Sequence, residues 1–344
     1  QQHSSTTPSS LLDFHPLVIA HLLTLKEFAL YRKIVPVEMT KSSWNKPHAS
    51  VTSPNLVKLI DWFNNVSYWV ATEIVTCREH VSRVEIVKRF IDVANFCRQL
   101  RNFSTMMEIV VALNMPCISR LKETWMAIPA SYVAIYSNLL SLTDSSQNYR
   151  VYRNLIQNIH PPALLYIGVI LRDLVHIEEI LTYVSDHHLP SGRPKTSDTE
   201  LYTGNAFTQA AALNKKTMIN WPKFHALARC FSEVIYYQQT DYRSKGIRKD
   251  LKFAAYFKDA RVLKDEALLR AHSLKCEESS RRSFKLTQEE MQKLVDNQPP
   301  RSVQTPIASQ SQSSSSSSSS STSQITLLSP RHHGHRRKKK SIFF

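Results

Sequence analysis

The sequence predicts an all-α fold, and two observations lead to this prediction. Only 5 of the 344 residues are glycine, whereas all-β folds need frequent glycine and other turn residues between their many short strands. Apolar residues also recur at helical spacing, since Leu56, Leu59, Phe63, Val66 and Val70 follow one another at intervals of three or four residues. A chain of this length suffices for one large domain or two ordinary ones.

The first long helix is predicted to begin at Ser53 and Pro54. Serine accepts hydrogen bonds from the first amides of a helix, and proline at the first helical position leaves no amide unpaired. A second helix is predicted from Val84 to Leu100, where the apolar residues again follow the helical period. Further helices are predicted over residues 106–113, 132–142, 149–159, 163–184, 222–239 and 266–274.

Proline and polar residues mark the breaks between these segments. We expect a sharp corner at Pro161 and Pro162, because proline has no amide to donate and disfavours the helical conformation in the residue before it. Residues 186–216 carry little periodic apolar content and are expected to form an exposed loop. The first twelve residues, 1–12, are expected to be flexible. A serine tract and a basic cluster within residues 279–344 predict a largely disordered tail.

The charge of the chain is concentrated toward this tail. The formal net charge is +16, and the segment from Ser280 to Phe344 contains 11 Lys and Arg against 3 Asp and Glu. A strongly basic tail on a mildly basic body favours electrostatic attachment through the tail, to anionic lipid or to nucleic acid, rather than a nucleic-acid-binding fold. Of the two targets an anionic membrane surface is the expected one, and no nucleic-acid partner is expected.

The sequence lacks the usual signatures of covalent chemistry. It contains no phosphate-binding glycine loop and no Gly-x-Ser-x-Gly motif. The five cysteines form no Cys-x-x-Cys pair, so we expect neither a disulfide framework nor a metal site, and no cofactor. No apolar run is long enough to cross a bilayer and no signal peptide is evident, which favours the cytoplasm. The absence of an initiator methionine suggests a fragment of a longer protein.

Five segments, taken in order, carry a family resemblance. They are HPLVIAHLLTLKEFALYRKIVPVEM from His15, SPNLVKLIDWFNNVSYWVATEIV from Ser53, FCRQLRNFSTMMEIVVALNMPCISRLKETW from Phe96, NYRVYRNLIQNIHPPALLYIGVILRDLVHIEE from Asn148 and INWPKFHALARCFSEVIYYQQ from Ile219. In this order and spacing they resemble the catalytic domain of Ras-type guanine-nucleotide exchange factors, the RasGEF family. The resemblance covers residues 13–278.

The resemblance implies an all-α bowl of packed helices with a protruding helical hairpin, here at about residues 163–239 with the loop 186–216 inserted. It implies that the chain binds a small GTPase of the Ras, Rap or Ral type, opens its nucleotide site with the hairpin and accelerates GDP release for GTP loading. Such a protein makes and breaks no covalent bond. It would work in the cytoplasm and be recruited to membranes.

The resemblance also implies roles for particular residues. A hydrophobic pocket for the GTPase falls on Ile60, Met107, Tyr149 and Tyr166, each of which could instead be an ordinary core residue. Polar positions around the same surface fall on Asp61, Asn64 and Asn114, and Asn114 could instead be a buried amide that holds the backbone. On the hairpin, Val175 would crowd the magnesium site and Glu179 would compete with phosphate.

One departure from the family bears on the hairpin. Most members have Gly-Asn after the paired glutamates, whereas this chain has Ile180 and Leu181, which could lengthen the first hairpin helix rather than end it. Two alternatives follow. The domain could be a degenerate member that binds a GTPase as a scaffold without releasing nucleotide, or a helical lipid- or nucleic-acid-binding protein led by its basic tail.

Overall fold

The structure, a computed structural model, describes residues 10–180, 183–185, 217–242 and 246–277. The whole predicted loop 186–216 and the whole predicted tail 279–344 lie outside the described residues. The α-helices, in chain order, are α1 (Pro16–Tyr31), α2 (Ala49–Thr52), α3 (Pro54–Thr76), α4 (His80–Gln99), α5 (Phe103–Leu113), α6 (Pro116–Ser119), α7 (Lys122–Met126), α8 (Ala130–Leu142), α9 (Arg150–Ile156), α10 (Ile167–Glu178), α11 (Trp221–Gln238), α12 (Leu251–Asp259) and α13 (Glu266–Cys276). The predicted all-α fold is confirmed.

Short elements complete the described chain. Four 3₁₀ turns lie at Leu11–Asp13, Pro36–Met39, Ser43–Asn45 and Ser146–Asn148. Two strands of three residues each, β1 (Tyr183–Ser185) and β2 (Thr217–Ile219), pair antiparallel between α10 and α11. A cis peptide joins Pro161 to Pro162 between α9 and α10.

The core is built on α3, which packs against α1, α4, α5 and α13. At its centre the Trp69 ring is fully buried and lies 5.3 Å from Phe90 on α4 and 4.8 Å from Phe257 on α12, both edge-to-face. Helix α12 was not predicted. It covers the Trp69 ring with a second aromatic face, and buried aromatic pairs of this kind stabilise a core beyond the area they bury.

Helix α3 begins at Pro54 as predicted, but Ser53 does not cap it. The Glu38 carboxylate accepts hydrogen bonds from the amides of Asn55 and Leu56 at 2.8 Å each, and from the Asn55 side chain at 2.7 Å. The Ser53 hydroxyl instead donates to the Glu38 carbonyl at 2.8 Å. An anion at a helix N-terminus satisfies unpaired amides and complements the helix dipole, so Glu38 replaces the expected serine cap from a distant part of the chain.

The predicted helix 163–184 is wrong at both ends. At its start the chain is extended, because the Leu164 amide donates to the Arg101 carbonyl and the Phe103 amide donates to the Leu164 carbonyl, both at 2.9 Å. Helix α10 therefore begins only at Ile167. It ends at Glu178, and the later residues of the predicted helix include β1. Long-range backbone pairing at residues 164 and 183–185 overrides the helical pattern.

The N-terminal boundary also differs from the prediction. Residues 1–12 were expected to be flexible, and of these residues 1–9 lie outside the described chain. Leu11, however, is buried in the core, and Ser10 and Asp13 form a capping box around a short 3₁₀ turn. The reason is hydrophobic: burying a leucine side chain stabilises the fold by about 1.5–3 kcal/mol, enough to order this turn.

Two fully buried glutamates face each other between α1 and α5. The Thr105 hydroxyl donates to Glu27 at 2.5 Å, but one Glu27 oxygen and both Glu108 oxygens have no hydrogen-bond partner among the described residues. Burial raises the pKa of both carboxyls, and for Glu108 the neighbouring Glu27 raises the pKa further. Burial raises the pKa of the Cys97 thiol and of the Tyr242 phenol, and the nearby charge of Glu27 raises both pKa values further. A shared proton between the carboxyls is therefore favoured.

We predict that Glu108→Gln raises the melting temperature at about pH 8 and flattens its dependence on pH. Because the folded pKa values are raised, the protonated carboxyls stabilise the fold fully below their unfolded pKa, and this stability is lost as the pH rises through the folded pKa. Glutamine is uncharged at every pH and can donate to Glu27. The measurement is a thermal melt between about pH 6 and pH 8, with the exposed Glu123→Gln as control. An unchanged pH slope in Glu108→Gln would contradict the prediction.

Candidate functional site

One turn of α3 carries three of the residues that the sequence marked. Ile60 is half-buried against the core, Asp61 is exposed and Asn64 is half-buried. Asn64 follows Ile60 by four residues, so the two side chains lie on the same helix face. Phe63, which the sequence analysis did not mark, belongs to the same turn and extends toward the next cluster.

An aromatic cluster joins α3 to the start of α10. The Tyr166 ring lies 5.4 Å from Phe63 and 6.2 Å from Tyr149, measured between ring centroids. The Tyr166 amide donates to the Tyr152 hydroxyl at 2.9 Å, which fixes the backbone at this point. A Cβ at Gly168 would lie 2.4 Å from the Tyr166 ring, so only glycine leaves room for the ring in this position. The spacing of apolar residues in the sequence did not indicate that Phe63 links α3 to the start of α10.

Tyr149 lies in a turn with an uncommon backbone. Gln147, Asn148 and Tyr149 have φ angles of 49°, 56° and 57°, a left-handed region that costs a non-glycine residue about 1–3 kcal/mol. The predicted helix 149–159 consequently starts at Arg150 and is shorter than expected. The Arg172 guanidinium on α10 lies 6.0 Å from the Tyr149 ring centroid. Contacts with Arg172 and Tyr166 hold the half-buried ring in place, which offsets this strain.

Two further marked residues lie on α5 at different depths. Met107 is 1% exposed, so it supports the surface from beneath and does not present a side chain to solvent. Tyr166, at 7% exposed, is also largely covered. Asn114 ends α5 and is exposed, so the alternative of a buried structural amide is wrong. Ile60 and Tyr149 are the partly accessible apolar members of the predicted pocket.

The hairpin residues lie at the far end of α10. Val175 is half-buried against the core, and Glu179, four residues later, is exposed just after the helix. The Glu179 carboxylate has a loose contact of 3.9 Å with the His176 ring, so its charge stays open to solvent. Because α10 has 12 residues, about 18 Å separates the aromatic cluster at its start from Glu179 at its end.

A buried lysine binds the backbone at the end of α10. The Lys223 ammonium donates to the carbonyls of Glu178 at 3.2 Å and Ile180 at 2.5 Å, and it lies 3.9 Å from the Glu178 carboxylate. Glu178 also accepts a hydrogen bond from the Lys41 amide at 2.8 Å. A cation at a helix C-terminus satisfies free carbonyls and complements the dipole. No pattern in the sequence indicated this role for Lys223.

The middle of α10 carries an ion pair with α9. Arg153 on α9 lies 2.7 Å from Asp173 on α10, and both side chains are about a third or less exposed. Glu233 on α11 is near this pair, and burial raises the pKa of its carboxyl, an effect that the Arg153 charge opposes. The pair therefore ties α9 to the hairpin beside the strained turn at Tyr149.

Within the residues that the structure describes, no group of three or more histidine, cysteine or acidic side chains could hold a metal ion. In the same part of the chain, every helix is too short or too polar to span a membrane. The arrangement instead offers a surface: an apolar patch with polar neighbours, joined by a rigid helix to an exposed carboxylate.

Comparison with known proteins identifies the fold. Residues 18–225 match the family described as RasGEF domain. The chain belongs to the RasGEF domain family. The match covers the aromatic cluster, all of α10 and the first residues of α11, so the surface described above lies within the RasGEF domain.

The curated relatives are long exchange factors from Dictyostelium discoideum. Ras guanine nucleotide exchange factor M is 31% identical over 288 residues, which are 83% of this chain and 28% of that protein. Factor Q is 38% identical over 186 residues, 54% of this chain and 14% of that protein. Factor E is 42% identical over 169 residues, 48% of this chain and 16% of that protein. The chain thus spans between 14% and 28% of the length of these relatives.

We predict that Lys223→Met frays the last turn of α10. Lys223 is 5% exposed, and a hydrogen bond from a charged donor contributes about 1.5–3 kcal/mol. Hydrogen exchange of the amides of Ile177 through Ile180 should become faster, and the free energy of unfolding should fall by about 2 kcal/mol. The exposed Lys264→Met is the matched control. Unchanged exchange at the end of α10 in the Lys223 variant would show that another contact ends the helix.

Proposed function

We propose that this chain is a guanine-nucleotide exchange factor that binds a Ras-family small GTPase of the Ras, Rap or Ral type and accelerates its release of GDP. Membership of the RasGEF domain family and the names of the curated relatives support the proposal. The observation that carries it is the rigid spacing in α10, which holds an apolar patch and an exposed carboxylate about 18 Å apart. One partner would have to contact both.

In the first step the patch binds an apolar segment of the GTPase. Ile60 and Tyr149 offer accessible apolar surface, and Tyr166 and Met107 support it from below. Aromatic side chains in such positions concentrate binding energy. Polar groups lie beside this patch, on α3 at Asp61 and Asn64 and at the end of α5 at Asn114. They would fix the position of the bound GTPase.

In the second step the end of α10 acts on the nucleotide site. Val175 would occupy the space that the magnesium ion of the GTPase needs. The Glu179 carboxylate would bind the hydroxyl and ammonium groups of the GTPase that otherwise bind phosphate. No covalent bond is made or broken. A ten-thousandfold faster release needs about 5.5 kcal/mol, and contacts that form only when the nucleotide is loosened can supply it.

The scaffold alternative was motivated by the altered hairpin tip at Ile180 and Leu181. The end of α10 at Glu178, with Lys223 on the carbonyls of Glu178 and Ile180, supports an exchange factor whose first hairpin helix is not lengthened. The lipid- or nucleic-acid-binding alternative depends on the tail 279–344, which lies outside the described residues. We propose that this tail attaches a cytoplasmic exchange factor to an anionic membrane surface, where its GTPase would be found, because it carries much of the net charge of the chain.

We predict that Glu179→Ala slows GDP release at least about tenfold, equal to about 1.4 kcal/mol. The side chain is 74% exposed and has only the loose contact with His176, so the fold should not change. The assay follows a fluorescent GDP analogue on Ras, Rap and Ral GTPases in parallel. Asp259→Ala removes an exposed carboxylate from α12 and is the control. Equal rates for the two variants on a GTPase that the chain activates would contradict the role of Glu179.

We predict that Tyr149→Asn weakens binding to the nucleotide-free GTPase at least about tenfold. Asparagine tolerates a left-handed backbone better than most residues, so this change removes the ring without adding strain to the turn. Tyr149→Phe keeps the ring and should bind like the parent chain. The measurement is the dissociation constant by interferometry. If the Asn and Phe variants bind equally, the ring does not contribute to the interface.

A further inference from the structure

A cavity of about 640 Å³ lies between α1 and the chain that follows α11. Its volume falls in the range of small-molecule sites, about 300–1,000 Å³. None of the residues assigned above to the GTPase surface or the hairpin lines it. Its described walls are Leu22, Leu25, Lys26, Ala29 and Arg32 on one side and Asp241 with residues 246–249 on the other.

Positive charge dominates these walls. Lys26 and Arg32 come from α1, and Arg248 and Lys249 come from the opposite side. Asp241 is the acidic residue of the described walls, and its carboxylate lies 3.2 Å from the Arg32 guanidinium. Within the described part of the chain, no carboxylate forms an ion pair with the other three cations. The cavity therefore has an excess of positive charge that the described protein does not neutralise.

Lys26 is held at the edge of the cavity by aromatic rings. Its ammonium lies 5.4 Å from the Phe257 ring centroid and 5.9 Å from the Trp62 ring centroid, both cation–π distances. Burial lowers the pKa of Lys26, and the nearby Lys249 lowers it further. Two mutually repelling ammonium groups thus face the same space, and a bound anion would relieve that repulsion.

The side that carries Arg248 and Lys249 is anchored. Ile247 is 4% exposed and packs into the core, which anchors the backbone directly before Arg248 and Lys249. Gly246, with a φ of +72°, lies where the chain turns into this segment. Leu25 is half-buried and Ala29 is exposed, and these two residues provide apolar surface among the cations. Arg248 and Lys249 therefore lie beside an anchored residue at the wall of a partly apolar cavity.

We propose that this cavity binds a small, multiply phosphorylated group of the kind found in inositol phosphates and in phosphoinositide headgroups. Three cations without a described counterion match two or more phosphates better than a single carboxylate. The guanidinium of Arg248 has the planar geometry that binds phosphate oxygens in pairs, and the apolar surface suits the carbon ring between phosphates. The site is separate from nucleotide exchange and does not depend on it.

The test uses the full chain of 344 residues near physiological salt. Titration calorimetry with inositol trisphosphate measures the soluble ligand. Sedimentation with phosphatidylcholine vesicles that contain phosphatidylinositol bisphosphate measures the lipid, against vesicles with equal surface charge from phosphatidylserine. We expect saturable binding of one inositol trisphosphate per chain.

The site variants are Lys26→Gln with Lys249→Gln, and Arg248→Gln alone, which is exposed and should not affect folding. The control, Lys264→Gln with Arg270→Gln, removes two exposed cations from the region of α13, which does not line the cavity. We expect at least about tenfold weaker binding in the site variants only. If the site variants lose only the binding of inositol trisphosphate, the ligand is a free phosphate compound. If they also lose binding to the vesicles with phosphatidylinositol bisphosphate, the ligand is a lipid headgroup. Equal binding by site and control variants would overturn the proposal, because the tail would then account for the affinity.

Discussion

The buried side chain of Asn102 holds together the parts of the domain on which the surface depends. Its amide nitrogen donates to the hydroxyls of Thr24 and Thr105 at 3.0 and 2.9 Å, and its oxygen accepts from the Thr105 amide at 3.0 Å, which caps α5. Residues on either side of Asn102 pair with Leu164. One fully satisfied amide thus links α1, α5 and the entry to α10, and a buried polar network of this kind specifies a single arrangement of helices.

This arrangement fixes both ends of α10. Just before its start Leu164 pairs with the chain around Asn102, and the Tyr166 ring fills the space over Gly168. At its end Lys223 binds the carbonyl of Glu178, the last helical residue, and that of Ile180 beyond it. Apolar packing alone could let a helix slide or rotate by part of a turn, whereas these hydrogen bonds define where it begins and stops. The positions of Tyr166 and Glu179 follow from them.

The sequence predicted those parts of the fold that depend on local pattern. Helices α8, α11 and α13 were predicted within two residues of both observed bounds, and α3 within one residue of its start, because their apolar stripes and proline signals are local. The ends of α10 depend on partners far along the chain, Arg101 at one end and Lys223 at the other. The cap of α3 comes from Glu38, and α12 lacks a long apolar stripe. The surface residues were predicted from the family resemblance, which does not show how deeply each side chain is buried. Burial of Met107 and the link through Phe63 required the structure.

For the exchange activity proposed here, the stiffness of the hairpin base decides which protein deforms. The Gln238 side chain donates to the carbonyls of Tyr31 and Ile34 at 2.9 Å each, and the Tyr237 hydroxyl donates to the Ile159 carbonyl at 2.8 Å. Arg153 and Asp173 add an ion pair on the other helix. Binding energy distorts the softer of two partners, so under the proposed function a hairpin held firmly at its base would transfer strain to the nucleotide site of the GTPase. The hydrogen bonds of Tyr237 and Gln238 would serve exchange in this way, by keeping the hairpin from yielding first.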